Sequence, residues 1–188
     1  MASTMLTLLN AQDMRRFYAD GHWRDDTIYS LVADNARKTP NKVALRDRQR
    51  AISYGELVAC VDALAGDLHR NGVKAGERVA VWLPSRLETA VALLACSRNG
   101  YVCCPSLHRD HTVGEIRDLM IRMRASALIT EHGYGADAHK ADIFKELDAI
   151  KSLRVVYGLQ PLKADETKLS YSNLSGTPPE MRTDPNTI

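Results

Sequence analysis

The sequence predicts an α/β fold: a doubly wound, mainly parallel sheet flanked by helices, with an N-terminal helical segment and hairpin in front of it. Three observations carry this. Residues 76–106 read as strand, turn, helix, turn, strand. Two more apolar runs of strand length, 127–130 and 153–157, alternate with helix-patterned segments, giving four strands in βαβ register. Buried strands joined by helices pair in parallel through right-handed crossovers.

Taken in order, Gln12 to Asp20 reads as a short amphipathic helix with Met14, Phe17 and Tyr18 on its sticky side. A loop with Trp23 leads to a helix over Ile28 to Lys38, where Ile28, Leu31, Val32 and Asn35 are spaced for one face. Thr39-Pro40-Asn41 ends it. Lys42 to Leu45 and Ala51-Ile52 are strands about the polar turn Asp47-Arg48-Gln49, which predicts a hairpin. Ser53 and Glu56 have capping-box spacing, opening a helix with Leu57, Val61, Leu64 and Leu68 inward that stops near Asn71-Gly72.

The central unit follows. Val79 to Leu83 is too short for a globular helix and rich in β-formers. Pro84 ends it, and Ser85 with Glu88 repeats the capping-box spacing. Leu87, Val91 and Leu94 point inward, and Gly100 suits a left-handed stop. Tyr101 to Cys104 is the next strand, with Pro105 expected to stop it. Thr112 and Glu115 cap a helix with Ile116, Leu119, Met120 and Met123 inward. Ala127 to Thr130 is a strand, Ile143 to Ile150 a helix and Leu153 to Tyr157 a strand.

Beyond Gly158 the apolar periodicity fades, and Gly, Ser, Thr, Asn and Pro dominate, as in a loop or disordered tail. The expected division is therefore an N-terminal extension over 1–26, an α/β unit over 27–159 and a linker or tail over 160–188. Pro185 to Ile188 reads as the approach to a further strand, so truncation is the expectation.

The 188 residues suffice for one domain with a real core. Apolar residues at 45% and charged residues at 26% fit an ordinary globular protein, and a net charge of +2 gives no case for nucleic acid or an anionic membrane. No apolar run approaches the roughly 18 residues of a membrane span. The N-terminus lacks the basic start and apolar core of a secretory signal. Cys60, Cys96, Cys103 and Cys104 include no C-x-x-C pair and read as small hydrophobes in a reduced, cytoplasmic protein.

Few residues suggest chemistry by pattern. The turn Leu83-Pro84-Ser85-Arg86 has no glycine, whereas dinucleotide and P-loop sites need glycines for backbone N–H groups to approach phosphate. Ser175-Gly176-Thr177 has no following Gly-Lys, so it reads as linker. His108 and His111 have no third ligand at metal-site spacing, and Cys103 and Cys104 fall on opposite faces of a strand.

Several stretches in succession, T-P-N-K-V-A-L-R-D, I-S-Y-G-E-L, G-V-K-A-G-E-R-V-A-V-W-L-P-S-R-L-E-T and A-C-S-R-N-G-Y-V-C-C-P-S-L, resemble the N-terminal part of the acyl-adenylate-forming ligases. The resemblance runs from about Phe17 to Leu159. The lead-in R-R-F-Y-A-D-G-H-W is most similar to cyclohexanecarboxylate and medium-chain fatty acyl-CoA ligases. It implies a parent enzyme that joins a carboxylic acid to coenzyme A, using ATP and Mg²⁺ and passing through an acyl-adenylate. The family's Ser/Thr/Gly-rich loop ending in Pro-Lys-Gly, its ribose-binding aspartate and its mobile C-terminal domain do not occur in these residues. The resemblance therefore implies an N-terminal subdomain that is inactive alone, with the remaining ligase domains as partners and dimers or aggregation through exposed sheet. It also places His108 and Arg109 in one loop, and His139 and Lys140 in the next, near the coenzyme A nucleotide phosphate. The expected catalytic and metal residues are none. Two other readings stand beside this one: an amino-acid or aryl-acid adenylation domain that loads a carrier protein, and a complete, non-catalytic flavodoxin-like binding module.

Overall fold

The computed structural model describes residues 10–106, 108–171 and 173–184. The approach to a further strand expected at Pro185 to Ile188 lies outside them. Two helices open the chain, α1 (Ala11–Ala19) and α2 (Ile28–Lys38). An antiparallel hairpin follows, β1 (Val43–Arg46) with β2 (Ala51–Ser53), then α3 (Tyr54–Arg70). The alternating part runs β3 (Arg78–Trp82), α4 (Leu87–Asn99), β4 (Val102–Ser106), α5 (Val113–Met123), β5 (Ala127–Glu131) and β6 (Val155–Leu159).

Strands β3 to β6 form one parallel sheet in the order β4-β3-β5-β6. The chain steps from β3 to β4, then crosses back over β3 to β5, so both faces become covered. Alternation along β3 assigns the faces. Val79 and Val81 join α3, α4 and Tyr29 of α2 in one apolar core, whereas Ala80 and Trp82 join α5, Tyr134 and Ile143 in the other. This is the doubly wound arrangement the sequence predicts.

Two capping boxes form as expected: Ser53 Oγ accepts from Glu56 N, and Thr112 Oγ1 from Glu115 N. The third does not. The N-cap of α4 is Arg86, with no side-chain cap, because the Glu88 carboxylate is drawn into a buried ion-pair cluster. Gly100 takes the left-handed stop with φ +70.

Other expectations shift in register. In α2 Tyr29 is buried and Val32 packs against the same core as expected, while Ile28 and Leu31 are exposed. The Tyr29 hydroxyl donates to Asp62 (2.7 Å), and burial first, then Asp62, push it up to about 12. In α5, Leu119 faces out while Val113, Ile116 and Met120 are buried. The helix expected over Ile143 to Ile150 is two 3₁₀ turns, Ile143–Lys145 and Leu147–Ala149. Asp142 caps the first, and so short a segment gains little from α-helical propagation.

Pro105 does not end β4. Val102 N–H donates to Glu77 O on the β3 side, so parity turns Pro105 toward the open sheet edge, where its missing N–H breaks no ladder bond and blunts pairing.

Residues 160–171 and 173–184 carry no helix or strand, yet they are fixed to the core. Leu169 and Tyr171 are buried, and Met181 packs beside them. Arg98 donates to Pro179 O (2.8 Å), and Arg182 N–H returns to Arg98 O (2.9 Å). The segment expected to be a loop or disordered tail is a strap over α3 and α4. Its composition hides this, since one buried pair, Leu169 and Tyr171, is too sparse to give periodicity.

Candidate functional site

In a doubly wound sheet, ligands favour the carboxyl edge where the strand order reverses, here between β3 and β5. The residues just past that point are Arg86, which follows β3, and Glu131, which closes β5. Arg86 Nη1 binds Glu131 Oε2 at 2.7 Å and Gln160 O at 2.9 Å, while its Nε binds Glu88 Oε2 at 2.9 Å. Glu88 is fully enclosed and takes a fork from Arg50, with Nη1–Oε1 and Nη2–Oε2 both 2.8 Å. Arg50 also binds Asp47 (2.7 Å) and Lys168 O (3.1 Å). Ser170 donates to Glu88 through both N and Oγ at 3.2 Å.

Burial by itself pushes the Glu88 carboxyl up, but Arg50 and Arg86 hold it well below the usual carboxylate range. Asp47 is lowered in the same way, its bonds to Arg50 outweighing its burial. Two guanidinium groups thus meet three carboxylates, and strap carbonyls and Ser170 satisfy further donors and lone pairs. The crevice at the reversal point is filled by the protein's own charges, and the turn over it has no glycine. A nucleotide triphosphate with Mg²⁺ does not fit these residues. Among the described residues, no group of three or more His, Cys, Asp or Glu is placed to hold a metal ion.

The sequence-predicted cations lie at the same end of the sheet, but at its surface. His108 and Arg109 follow β4, and His139 and Lys140 lie in the loop after β5; all four are exposed. The two loops are joined. Ala136 N–H donates to His111 O (2.9 Å), and Asp137 accepts from Val113 N–H (2.8 Å). Arg109 lies over the Tyr134 ring at 6.0 Å, and Trp82 Nε1 reaches His108 O at 3.4 Å. His108 and His111 meet edge to face at 5.8 Å. Tyr134, buried on Trp82, anchors the ledge from which these cations project. The buried cluster beneath was not legible as a site; Asp47-x-x-Arg50 in the hairpin and Glu88 after the first core strand are separate local patterns that only the fold brings together.

The geometry defines a parallel α/β scaffold, charge-paired inside its carboxyl edge, with His108, Arg109, His139 and Lys140 exposed above it. The chain belongs to the AMP-binding enzyme family, whose model matches residues 32–188. It is 32% identical over 141 residues to a 2-hydroxy-7-methoxy-5-methyl-1-naphthoate–CoA ligase of Streptomyces carzinostaticus, covering 75% of this chain and 25% of that protein. It is 34% identical over 106 residues to a salicyl-AMP ligase / salicyl-S-ArCP synthetase of Mycobacterium tuberculosis, covering 52% and 19%. Mycobacterium smegmatis MbtA superposes with a TM-score of 0.70 at 27% identity, over 97% of this chain and 34% of its own. O-succinylbenzoate coenzyme A synthetase of Bacillus subtilis shares the fold at 18% identity, with a TM-score of 0.60 over 84% of this chain and 35% of its own. The chain thus spans a quarter or less of these curated relatives and about a third of the solved structures. Among the described residues, no helix is long and apolar enough to cross a membrane.

Proposed function

We propose that this chain is the N-terminal scaffold of an ATP-dependent acid–CoA ligase, which converts a carboxylic acid, ATP and coenzyme A to acyl-CoA, AMP and pyrophosphate through an acyl-adenylate. The carrying observation is the family match across residues 32–188, joined to a reversal point that this chain's own ion pairs occupy. The adenylating groups, and the ATP and Mg²⁺ they handle, belong to other parts of such a ligase. Residues 1–26 act as an extension, 27–159 as the scaffold and 160–188 as the link onward, and the working compartment is the cytoplasm. Exposed Ile28, Leu31 and Leu93 offer apolar contact to the remaining ligase domains, or to a second copy when those are missing. Alone, the 188-residue chain is expected to give no ATP–pyrophosphate exchange above background with any carboxylic acid. Exchange by the isolated chain would overturn the assignment of adenylation to other segments.

Within that ligase, His108, Arg109, His139 and Lys140 meet the nucleotide phosphate of coenzyme A. The joined loops that carry them, the exposure of all four side chains and the charges of Arg109 and Lys140 support this reading. Arg109→Glu in the full-length ligase is expected to raise the KM for coenzyme A about tenfold, the equivalent of about 1.4 kcal/mol, while leaving acid-dependent pyrophosphate exchange unchanged. An unaltered KM for coenzyme A would remove the loop from the thiol half-reaction.

A second reading has its own support: the relative named salicyl-S-ArCP synthetase is identical at 34% over 106 residues, and a parent of that kind would load a carrier protein instead. Acyl transfer to coenzyme A or to a carrier protein, measured in the full-length enzyme, separates the two. The family match sets aside the free-standing flavodoxin-like module.

A further inference from the structure

The amino edge of the parallel sheet, at the far end from the cluster of Arg86 and Glu131, carries a cleft of about 400 Å³, a volume in the small-molecule range. Three junctions build it: Arg78 opens β3, Arg124 follows α5, and Lys151 and Arg154 precede β6. Their backbones are tied together. Ser126 N–H donates to Arg78 O (2.8 Å), Arg154 N–H to Ser126 O (2.9 Å), and Ser152 Oγ to Ala125 O (2.8 Å). Four cations therefore line the cleft against one carboxylate, Glu77. Arg154 takes that carboxylate, with Nη2–Oε1 at 2.7 Å and Nη1 on Oε2, and Nη1 also donates to Gly72 O (2.9 Å). Among the described residues, the side chains of Arg78, Arg124 and Lys151 have no hydrogen-bond or ion-pair partner. The end of α5 does not need these charges. Its last carbonyls are closed by Arg124 N–H on Ile121 O (3.2 Å) and Ala125 N–H on Met120 O (3.1 Å). Arg124 itself holds φ +51, the left-handed region that glycine fills most easily, so its guanidinium stands there against backbone preference.

We propose that this cleft is an anion site for a diphosphate group, held by Arg78, Arg124 and Lys151. Unpaired cations from three separate junctions line one cleft whose single carboxylate is already taken, which favours a ligand with several negative charges. Guanidinium forks match the oxygens of a phosphate, and the Lys151 ammonium adds a point charge. The cleft is larger than one orthophosphate fills, and a second linked phosphate brings further charge and further oxygens to the same cations. The group is either free pyrophosphate or the diphosphate of a nucleotide. The ledge of His108 and Arg109 follows β4 at the carboxyl end of the sheet, so this site is independent of the coenzyme A contacts proposed there.

Calorimetric titration of the 188-residue chain with sodium pyrophosphate, at low salt and without divalent metal, tests this. Saturable binding is expected, weakening as salt is raised and about tenfold tighter than that of orthophosphate. Arg124→Gly is expected to weaken it about tenfold or more, while Tm stays level or rises because glycine accepts the left-handed backbone. Lys151→Gln is expected to act in the same direction, and Arg109→Gln to leave the affinity unchanged. ADP binding as tightly as pyrophosphate would support the site with a nucleotide as the source of the diphosphate; much weaker ADP binding would support it with free pyrophosphate. Absence of saturable binding, equal affinity for citrate, unchanged affinity in Arg124→Gly, or an equal loss in Arg109→Gln would overturn the proposal.

Discussion

Glu88→Gln is expected to destabilise the chain by about 3–5 kcal/mol, because it leaves buried arginines short of a counter-charge. Arg50 and Arg86 each have side chains 1% exposed, and Glu88 is the carboxylate they share. With glutamine there, Arg50 keeps Asp47 and Arg86 keeps Glu131, but one negative charge is gone from between two guanidiniums that stay ionised. That loss is a large part of the roughly 5–15 kcal/mol that holds a typical domain together. Urea unfolding followed by tryptophan fluorescence measures it through the midpoint. A loss under about 1 kcal/mol would show that the cluster is replaceable polar filling.

The same cluster fixes a pH dependence. The Glu88 carboxyl is held below its unfolded value of 4.5, so its stabilisation is fully present above that pH and drains away as acid is added. Glu77, lowered to about 2 chiefly by its hydrogen bond to Arg154, acts in the same direction but is partly exposed and so contributes less. Stability is expected to fall progressively below about pH 4.5, with a flatter acid limb in Glu88→Gln.

The second large effect falls on the strap. Gly66 lies inside α3, where a helix gains nothing from glycine, and Gly176 of the strap crosses directly over it. A Cβ on Gly176 would meet the Gly66 carbonyl carbon at 2.6 Å and Asp67 N at 2.8 Å; one on Gly66 would overlap the Gly176 carbonyl. These are backbone atoms on both sides, so no side chain can rotate away. Gly176→Ala is expected to cost about 1–3 kcal/mol and to speed hydrogen exchange across 173–184, most visibly at the Arg182 amide that bonds Arg98 O. Gly114→Ala is the control. Its nearest neighbour is Arg117 Nη2 at 3.9 Å, so the change is expected to be neutral or mildly stabilising. Unchanged exchange in the strap of Gly176→Ala would mean that the crossing is loose.

Much of the fold is local in origin and therefore legible. Ser53 with Glu56, and Thr112 with Glu115, start helices because their bonds span three residues of one chain segment. A short apolar run marks Val79–Trp82 and helical periodicity marks Leu57–Leu68 for the same reason: both are patterns among neighbouring residues. Order along the chain also carried the family, through short stretches such as Ile52 to Leu57 and Arg98 to Pro105. The candidate loops were legible as positions, His108-Arg109 and His139-Lys140, but their joining through His111 O, Val113 and Asp137 was not.

What tertiary structure decided depends on residues far apart in sequence. Ser85 and Glu88 have capping-box spacing, yet a guanidinium from 38 positions away outcompetes the cap, because two charge-assisted bonds in a buried site outweigh one exposed backbone contact. In α2 the core takes Tyr29, whose hydroxyl reaches Asp62 of α3, together with Val32, and leaves Ile28 and Leu31 exposed. The aperiodic stretch after Gly158 becomes a strap because Leu169, Tyr171 and Gly176 find places prepared by α3 and α4. Local spacing determined most of the elements and their order, and short motif stretches carried the resemblance to the family. Long-range burial of charge and close backbone contact decided which caps form, which glycines matter and where the strap lies, since those energies arise only once distant segments have displaced water between them.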